Sequence, residues 1–99
     1  MIRGTTPTHI FKLPFATSII SKLRVTYAQD GEIILEKTES DCTLDGDNIS
    51  LKLTQEESFK FKARVNVEIQ LKVKAADGEI TATTVKTIPV ERALSEEVL

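Results

Sequence analysis

Apolar and polar side chains alternate along most of this chain. The clearest example is residues 65–73 (VNVEIQLKV), where every second residue is Val, Ile or Leu and the residues between them are polar. Residues 48–54 (NISLKLT) and 22–28 (KLRVTYA) follow the same pattern. Strict alternation is typical of a strand with one face in a core and the other in water. The pattern therefore predicts three strands of this kind.

Weaker alternation predicts strands at 9–15, 32–38, 41–44 and 79–90. The last is irregular, because Val85 falls out of phase with the apolar positions around it, which are Ile80, Ala82, Ile88 and Val90. A bulge or a change of partner near residues 83–86 would explain the irregularity. Pro89 cannot donate a ladder hydrogen bond, so this end is expected at a sheet edge.

Short polar segments separate these strands. Asp30-Gly31 and Asp77-Gly78 each favour a two-residue type I′ loop, because Asp and Gly tolerate positive φ. Residues 44–50 (LDGDNIS) predict a third hairpin, with a loop of similar or slightly greater length. The shared DGEI sequence is interpreted as the same hairpin chemistry used twice, since the flanking strands do not match.

One segment departs from strand periodicity. Thr54 is followed three residues later by Glu57, which is the signature of a helix-capping box. We expect one short helical turn near residues 55–60, with Phe59 or Phe61 filling the core. Together with about seven short strands, this predicts an all-β, antiparallel, immunoglobulin-like β-sandwich. The term describes architecture alone, because the chain has no Trp.

The composition fits one folded domain. The chain has 99 residues, of which 40% are hydrophobic and 28% charged, enough for a single core. We predict one β-sandwich domain over residues 1–91 and a C-terminal tail over 92–99. The net charge is −2, and no run of Lys or Arg is long enough to follow a phosphate backbone. A nucleic-acid partner is therefore not expected.

Residues able to carry chemistry are few. His9 is the single histidine, and Cys42, the single cysteine, has no adjacent His or Lys to activate it, so structural roles are expected for both. Asp45, Asp47 and Asn48 resemble the start of a calcium loop but lack the downstream Glu at the right place. A β-turn is expected there, with a weak cation site as the alternative. We predict no enzyme, no catalytic residue, no metal, no cofactor and no small-molecule substrate.

Several segments together carry a family resemblance. They are MIRGTTPTHIFKLPF, SKLRVTYAQDGEIILEK, LKLTQEESFKF, VEIQLKV and DGEITATTVKTIPV. The chain resembles small proteins encoded among the virion structural genes of phages and prophages of Gram-positive bacteria. More distantly, it is similar to the N-terminal domain of phage baseplate upper proteins, which also begins with an Arg-Gly-(Asp/Thr)-Thr segment leading into an aromatic-alternating strand. The corresponding residues here are Arg3, Gly4, Thr5, Thr6, Phe11 and Phe15.

The resemblance implies a β-sandwich building block of a tail or baseplate, which binds other phage structural proteins or itself. The alternative is a stand-alone immunoglobulin-like binding or adhesion module. Contacts are expected at the termini and the sheet edge, at Arg3, Thr5, Thr6, Pro89, Leu94 and Val98. In the tail, a helix would place Leu94 and Val98 on one face. An irregular terminus is equally compatible with the sequence.

Neither a signal-peptide core nor a long apolar run is visible in the sequence. A lone Cys cannot form an intramolecular disulfide, which suits a reducing compartment. We therefore expect no membrane partner, and synthesis in the bacterial cytoplasm. The virion is the further location that the resemblance implies.

Overall fold

The computed structural model describes residues 1–83 and 85–99 and contains two antiparallel sheets. In chain order the strands are β1 (Thr8–Lys12), β2 (Ile20–Gln29), β3 (Glu32–Thr38), β4 (Cys42–Asp45), β5 (Asn48–Lys52), β6 (Val67–Ala75), β7 (Ile80–Ala82) and β8 (Lys86–Ile88). One sheet has the order β1-β5-β4. The other has the order β3-β2-β6-β7, with β8 also paired to β6. The predicted antiparallel, immunoglobulin-like sandwich is confirmed.

The alternating positions form the core between the two sheets, as the sequence pattern predicts. From Leu23 onward in β2 and throughout β6, buried residues alternate with more exposed ones. Tyr27 and Phe61 pack together at the centre, with ring centroids 5.7 Å apart. The buried apolar residues are Leu13, Leu23, Val25, Tyr27, Ile49, Leu51, Leu53, Phe61, Val67, Ile69, Leu71, Val73 and Val90.

The hairpin turns differ in geometry. Asp30 and Gly31 have φ of 50° and 76°, so this loop is the predicted two-residue type I′ turn. At the second Asp-Gly, only Gly78 has positive φ, at 91°. There Gly78 N–H donates to Ala75 O and Ala75 N–H donates to Glu79 O, which makes a three-residue loop. The prediction of a two-residue loop at Asp77-Gly78 is therefore wrong, although the hairpin itself is present.

The predicted capping box is confirmed in a short helix, α1 (Gln55–Ser58). Thr54 Oγ1 accepts from Glu57 N–H at 3.1 Å, and Glu57 Oε1 accepts from Thr54 N–H at 2.8 Å. The other Glu57 oxygen pairs with Lys37 of the edge strand β3. Lys37 lies opposite Val25, on the inner face of the sheet. An inward-pointing charge of this kind discourages an edge strand from pairing with another chain.

The irregular last strand is divided in two. β7 and β8 both pair with β6, so the chain is interrupted without a change of partner. Thr83 fills the interruption, since Leu71 N–H donates to its Oγ1 at 3.1 Å. Thr84, which falls in the predicted irregularity near 83–86, lies outside the described residues. Pro89 follows β8 at the sheet edge, as predicted.

The predicted common phase of the last strand is wrong for Ile80 and Ala82. They lie opposite Lys74 and Lys72, on the outer face of the sheet, whereas Ile88 lies opposite Val67 on the inner face. The cause is the interruption, because one extra residue turns all later side chains to the other face.

A buried glutamine organises the end of the molecule that holds the Asp30-Gly31 turn. Gln29 is 2% exposed, and its side-chain amide binds the backbone of the 62–65 loop at three points. Its Nε2 donates to Lys62 O and Val65 O, and its Oε1 accepts from Lys62 N–H. Arg64 N–H in turn donates to Val90 O. The loop and the segment that leads into the tail are thereby fixed to β2.

Candidate functional site

A groove on the outer face of the five-stranded sheet gathers four cations from two adjacent strands. Lys22 and Arg24 come from β2, and Lys72 and Lys74 from β6. They share this face because they alternate with the buried residues Leu23 and Val25 of β2 and Leu71 and Val73 of β6. The groove has a volume of about 500 Å³. We call it the basic groove; its other lining residues are Leu23, Thr26, Glu36, Thr38, Glu39, Gln70 and Ile80.

The cations lie directly opposite one another. The register pairs Lys22 with Lys74 and Arg24 with Lys72. Like charges directly across an antiparallel ladder destabilise the sheet, whereas opposite charges or threonines would stabilise it. Folding alone therefore gives no reason for this arrangement.

Two carboxylates at the rim neutralise part of this charge. Glu36 approaches Arg24 at 4.0 Å, with both side chains largely exposed. Glu39 Oε2 accepts a hydrogen bond from Leu23 N–H at 3.1 Å. Backbone N–H donors lower the pKa of Glu39, with a smaller contribution from Lys22 and Arg24. Four cations face two carboxylates, so the groove keeps an excess of positive charge.

An apolar side chain completes the groove. Ile80 is 64% exposed and lies on β7 opposite Lys74. The groove therefore combines positive charge with an uncovered aliphatic surface. Such a surface fits a partner that presents carboxylates next to apolar side chains.

Arg3, a predicted partner contact, is engaged within the chain. Its Nε and one terminal nitrogen donate to Phe61 O and Phe59 O, at 2.6 and 3.0 Å, and the guanidinium lies 5.3 Å from the centroid of the Phe59 ring. The other terminal nitrogen pairs with Glu96 of the tail at 2.6 Å. A role for Arg3 toward another molecule stays a prediction.

The packing of the opening segment against the Phe59 ring explains why glycine follows Arg3. Gly4 has φ of 79°, and a Cβ there would meet the Phe59 ring at 2.4 Å. Its N–H donates to Ser58 Oγ, and its carbonyl accepts from Gln55 Nε2. We call Arg3, Gly4, Gln55, Ser58 and Phe59 the clamp.

The other predicted contacts are exposed. Thr5 and Leu94 line a cleft of about 460 Å³ together with Arg3, whereas Thr6, Pro89 and Val98 are not part of its lining. The helical alternative for the tail is wrong, because residues 92–99 form no helix. So short a segment is not stable as an isolated helix. Instead the tail is held by Arg3 and by Leu99 N–H, which donates to Gln55 Oε1.

His9 and Cys42 both contact groups inside the fold. His9 Nδ1 lies 2.8 Å from the hydroxyl of buried Tyr27. Burial lowers the pKa of His9, and the charge of Lys86 adds to this. Burial raises the pKa of Tyr27. Cys42 Sγ donates to Thr38 O, and burial followed by the charges of Asp41 and Glu39 raises the pKa of the thiol. Such a thiol carries little nucleophilic thiolate.

Asp45, Asp47 and Asn48 lie in the β4–β5 hairpin, whose loop is Gly46 and Asp47. Across residues 1–83 and 85–99, no group of three or more His, Cys, Asp or Glu side chains is placed to hold a metal ion. Within the same described residues, no helix is both long and apolar enough to cross a membrane.

The basic groove was not found from the sequence. Its cations occur as two Lys-apolar-basic triplets, Lys22 to Arg24 and Lys72 to Lys74, separated by about half of the chain. Each triplet alone is an ordinary solvated strand segment. Only the pairing of β2 with β6 makes them one site. The one hint in the sequence is that the basic residues of both triplets fall at positions predicted to point outward.

No protein-family model and no curated protein matches this chain. Among solved structures, the V domain of amphioxus IgVJ-C2 is similar, with 12% sequence identity and a TM-score of 0.37. The match covers 91% of this chain and 96% of that domain. A likeness at this level carries no inference about function. The sandwich assignment rests on the strand pairing itself.

Proposed function

We propose that this chain is a non-catalytic binding module that holds an acidic surface of a protein partner in the basic groove. The observation that carries the proposal is the pair of like-charged cross-strand contacts, Lys22 with Lys74 and Arg24 with Lys72. An arrangement that costs the isolated sheet stability is explained if a partner's carboxylates neutralise it on binding.

The two residues best suited to catalysis support a non-catalytic role. The His9 ring bonds to Tyr27, and Cys42 has a raised thiol pKa and donates to a backbone carbonyl. A cysteine nucleophile needs the opposite arrangement, with a readily ionised thiol near a substrate cavity.

The larger assembly that we propose is a phage or prophage particle, with the chain in the tail or baseplate. The family resemblance of the Arg-Gly-Thr-Thr opening supports this choice. The partners are then other structural proteins of the particle or further copies of this chain. A stand-alone binding or adhesion module is the second candidate, and it is favoured by a core that closes within one chain.

Purified particles provide the test. Particles induced from the strain that carries the gene should contain this chain in a fixed copy number after density-gradient purification. A K72E/K74E variant should be depleted from them while the free protein stays folded. The matched control, K12E/K52E, makes the same charge change on the outer face of the other sheet and should leave incorporation unchanged. Absence of the wild-type chain from particles would refute the particle role, and normal incorporation of K72E/K74E would refute the groove.

A basic surface can also attract nucleic acid, and a second measurement separates the two partners. Fluorescence anisotropy with a short duplex DNA should show weak binding that high salt abolishes, with no difference between K72E/K74E and K12E/K52E. Strong DNA binding that only the groove variant loses would overturn the choice of a protein partner.

A further inference from the structure

We propose that the acidic segment bound by the basic groove is the tail, residues 92–99, of a second copy of this chain. The proposal rests on the proposed function, because it names the protein partner of the same groove. It is carried by the chemistry of the tail, by the position of the tail in the molecule and by the weakness of the tail's contacts within its own chain.

The tail has chemistry complementary to the groove. Glu96 and Glu97 lie among apolar side chains that are largely exposed. Leu94 is 93% exposed, Val98 55% and Leu99 98%. The groove presents the opposite charge beside its own exposed aliphatic residue, Ile80. Carboxylates flanked by apolar side chains would thus meet cations flanked by an apolar side chain.

The tail is fixed to its own chain outside the groove. The groove lies on the outer face of the five-stranded sheet. The ion pair and the hydrogen bond that hold the tail go to Arg3 and Gln55, neither of which lines the groove. The groove of another molecule is therefore a separate surface that the tail can meet.

Few polar contacts hold the tail to its own chain. Arg3 pairs with Glu96, whose side chain is 60% exposed, and Leu99 N–H donates to Gln55 Oε1. An exposed ion pair contributes little to stability. The tail can therefore exchange these contacts for the groove of a neighbour at small cost, and Glu97 is exposed before it does so.

A contact between two different surfaces has a consequence for symmetry. Two molecules that exchange tails reciprocally fill both grooves and form a closed two-fold dimer. A one-way contact instead leaves one free groove and one free tail, and it repeats head to tail as a ring or a filament.

Sedimentation velocity on the intact chain tests this proposal. The mass of the wild-type species should rise with concentration and fall with added salt. K72E/K74E and E96K/E97K should each remain monomeric, because one loses the groove and the other loses the tail. An equimolar mixture of K72E/K74E with the neutral tail variant E96Q/E97Q should form a one-to-one heterodimer that does not grow, since only one intact contact remains.

Two controls keep the outcome specific. K12E/K52E and E32K/E56K make equal charge changes elsewhere on the surface and should associate as the wild type does. A synthetic peptide of residues 92–99 should dissociate the wild-type assembly, and the same peptide with both glutamates replaced by lysine should not. Circular dichroism establishes that each variant is folded.

Three results would overturn the proposal: a strictly monomeric wild type, association of K72E/K74E equal to that of the wild type, or a mixture that stays monomeric. A monomeric wild type whose incorporation into particles still requires the groove would leave the proposed function standing. In that case the acidic segment belongs to a different protein.

Discussion

The two faces of β2 and β6 show how neighbouring residues in one strand serve different purposes. Val25 and Leu71 face each other in the core and are fully buried. One residue away, Arg24 and Lys72 face each other in the groove with like charges. The inner face supplies the apolar burial that folds the sandwich. The outer face can then carry charges that folding alone does not favour.

The largest expected effect is on the inner face. Leu71→Ala removes a fully buried side chain and should lower the free energy of unfolding by about 2–5 kcal/mol, from lost burial and the cavity left behind. Lys72→Ala, one residue away, should change it by no more than about 0.5 kcal/mol. Urea denaturation of both variants measures the contrast. Similar losses for the two substitutions would contradict the division between the faces.

The clamp sets a second test, because it joins the opening segment to α1 and to Phe59, which follows α1. Gly4→Ala should destabilise the fold more than Gly46→Ala does. Both glycines have positive φ, but only the Gly4 Cβ would meet a ring, whereas the Gly46 Cβ has nothing within 4 Å. The excess cost should be about 1–3 kcal/mol, as for overpacking. Equal thermal shifts in the two variants would show that the Phe59 contact does not constrain position 4.

The Lys37–Glu57 pair is a charged exception to the apolar inner face. Burial is the largest single influence on Glu57 and raises its pKa, but bonds from Lys37 and from Thr54 N–H together outweigh burial. The folded pKa is therefore below the ordinary value of 4.5. A carboxyl group whose pKa is lower in the folded chain stabilises the fold at pH values above its pKa in the unfolded chain. This contribution is lost as the pH falls through the pKa of the folded chain.

At neutral pH, Glu57→Gln should therefore have a lower free energy of unfolding than the wild type. The loss should be smaller than that expected for Leu71→Ala. The difference should shrink as the pH drops below 4.5. Glu56→Gln makes the same change at an exposed neighbour in the same turn and is the matched control. Denaturation curves at a series of pH values provide the comparison, and a gap that persists into strong acid would be inconsistent with an ion-pair contribution.

The strands with one buried face were predictable because burial imposes a period of two on them. β2, β5 and β6 follow that period, and the capping box at Thr54 and Glu57 is equally local. The phase of Ile80 was not predictable, since it depends on an interruption whose bonds involve Leu71 of another strand. The positions of Arg3 and Gln29 were also not predictable, because each side chain is fixed by backbone carbonyls that are distant in sequence.

The basic groove depends on register, which the sequence does not state. Lys22 and Lys74 become opposed only when β2 pairs with β6 in the observed alignment. Charge interspersed along the chain thus indicated an ordinary solvated surface. The structure shows instead that two unremarkable triplets form one concentrated positive patch.

The smallest predicted effect gives the most direct test of the groove. K72T/K74T removes two cations that oppose Arg24 and Lys22. In low salt, its free energy of unfolding should exceed that of the wild type by about 0.2–1 kcal/mol for each repulsive pair that is removed. K12T/K52T corrects for the better strand propensity of threonine, and the excess over this control should disappear in high salt. If K72T/K74T is instead less stable than the wild type, the four cations stabilise the sheet, and their arrangement gives no reason to infer a binding site.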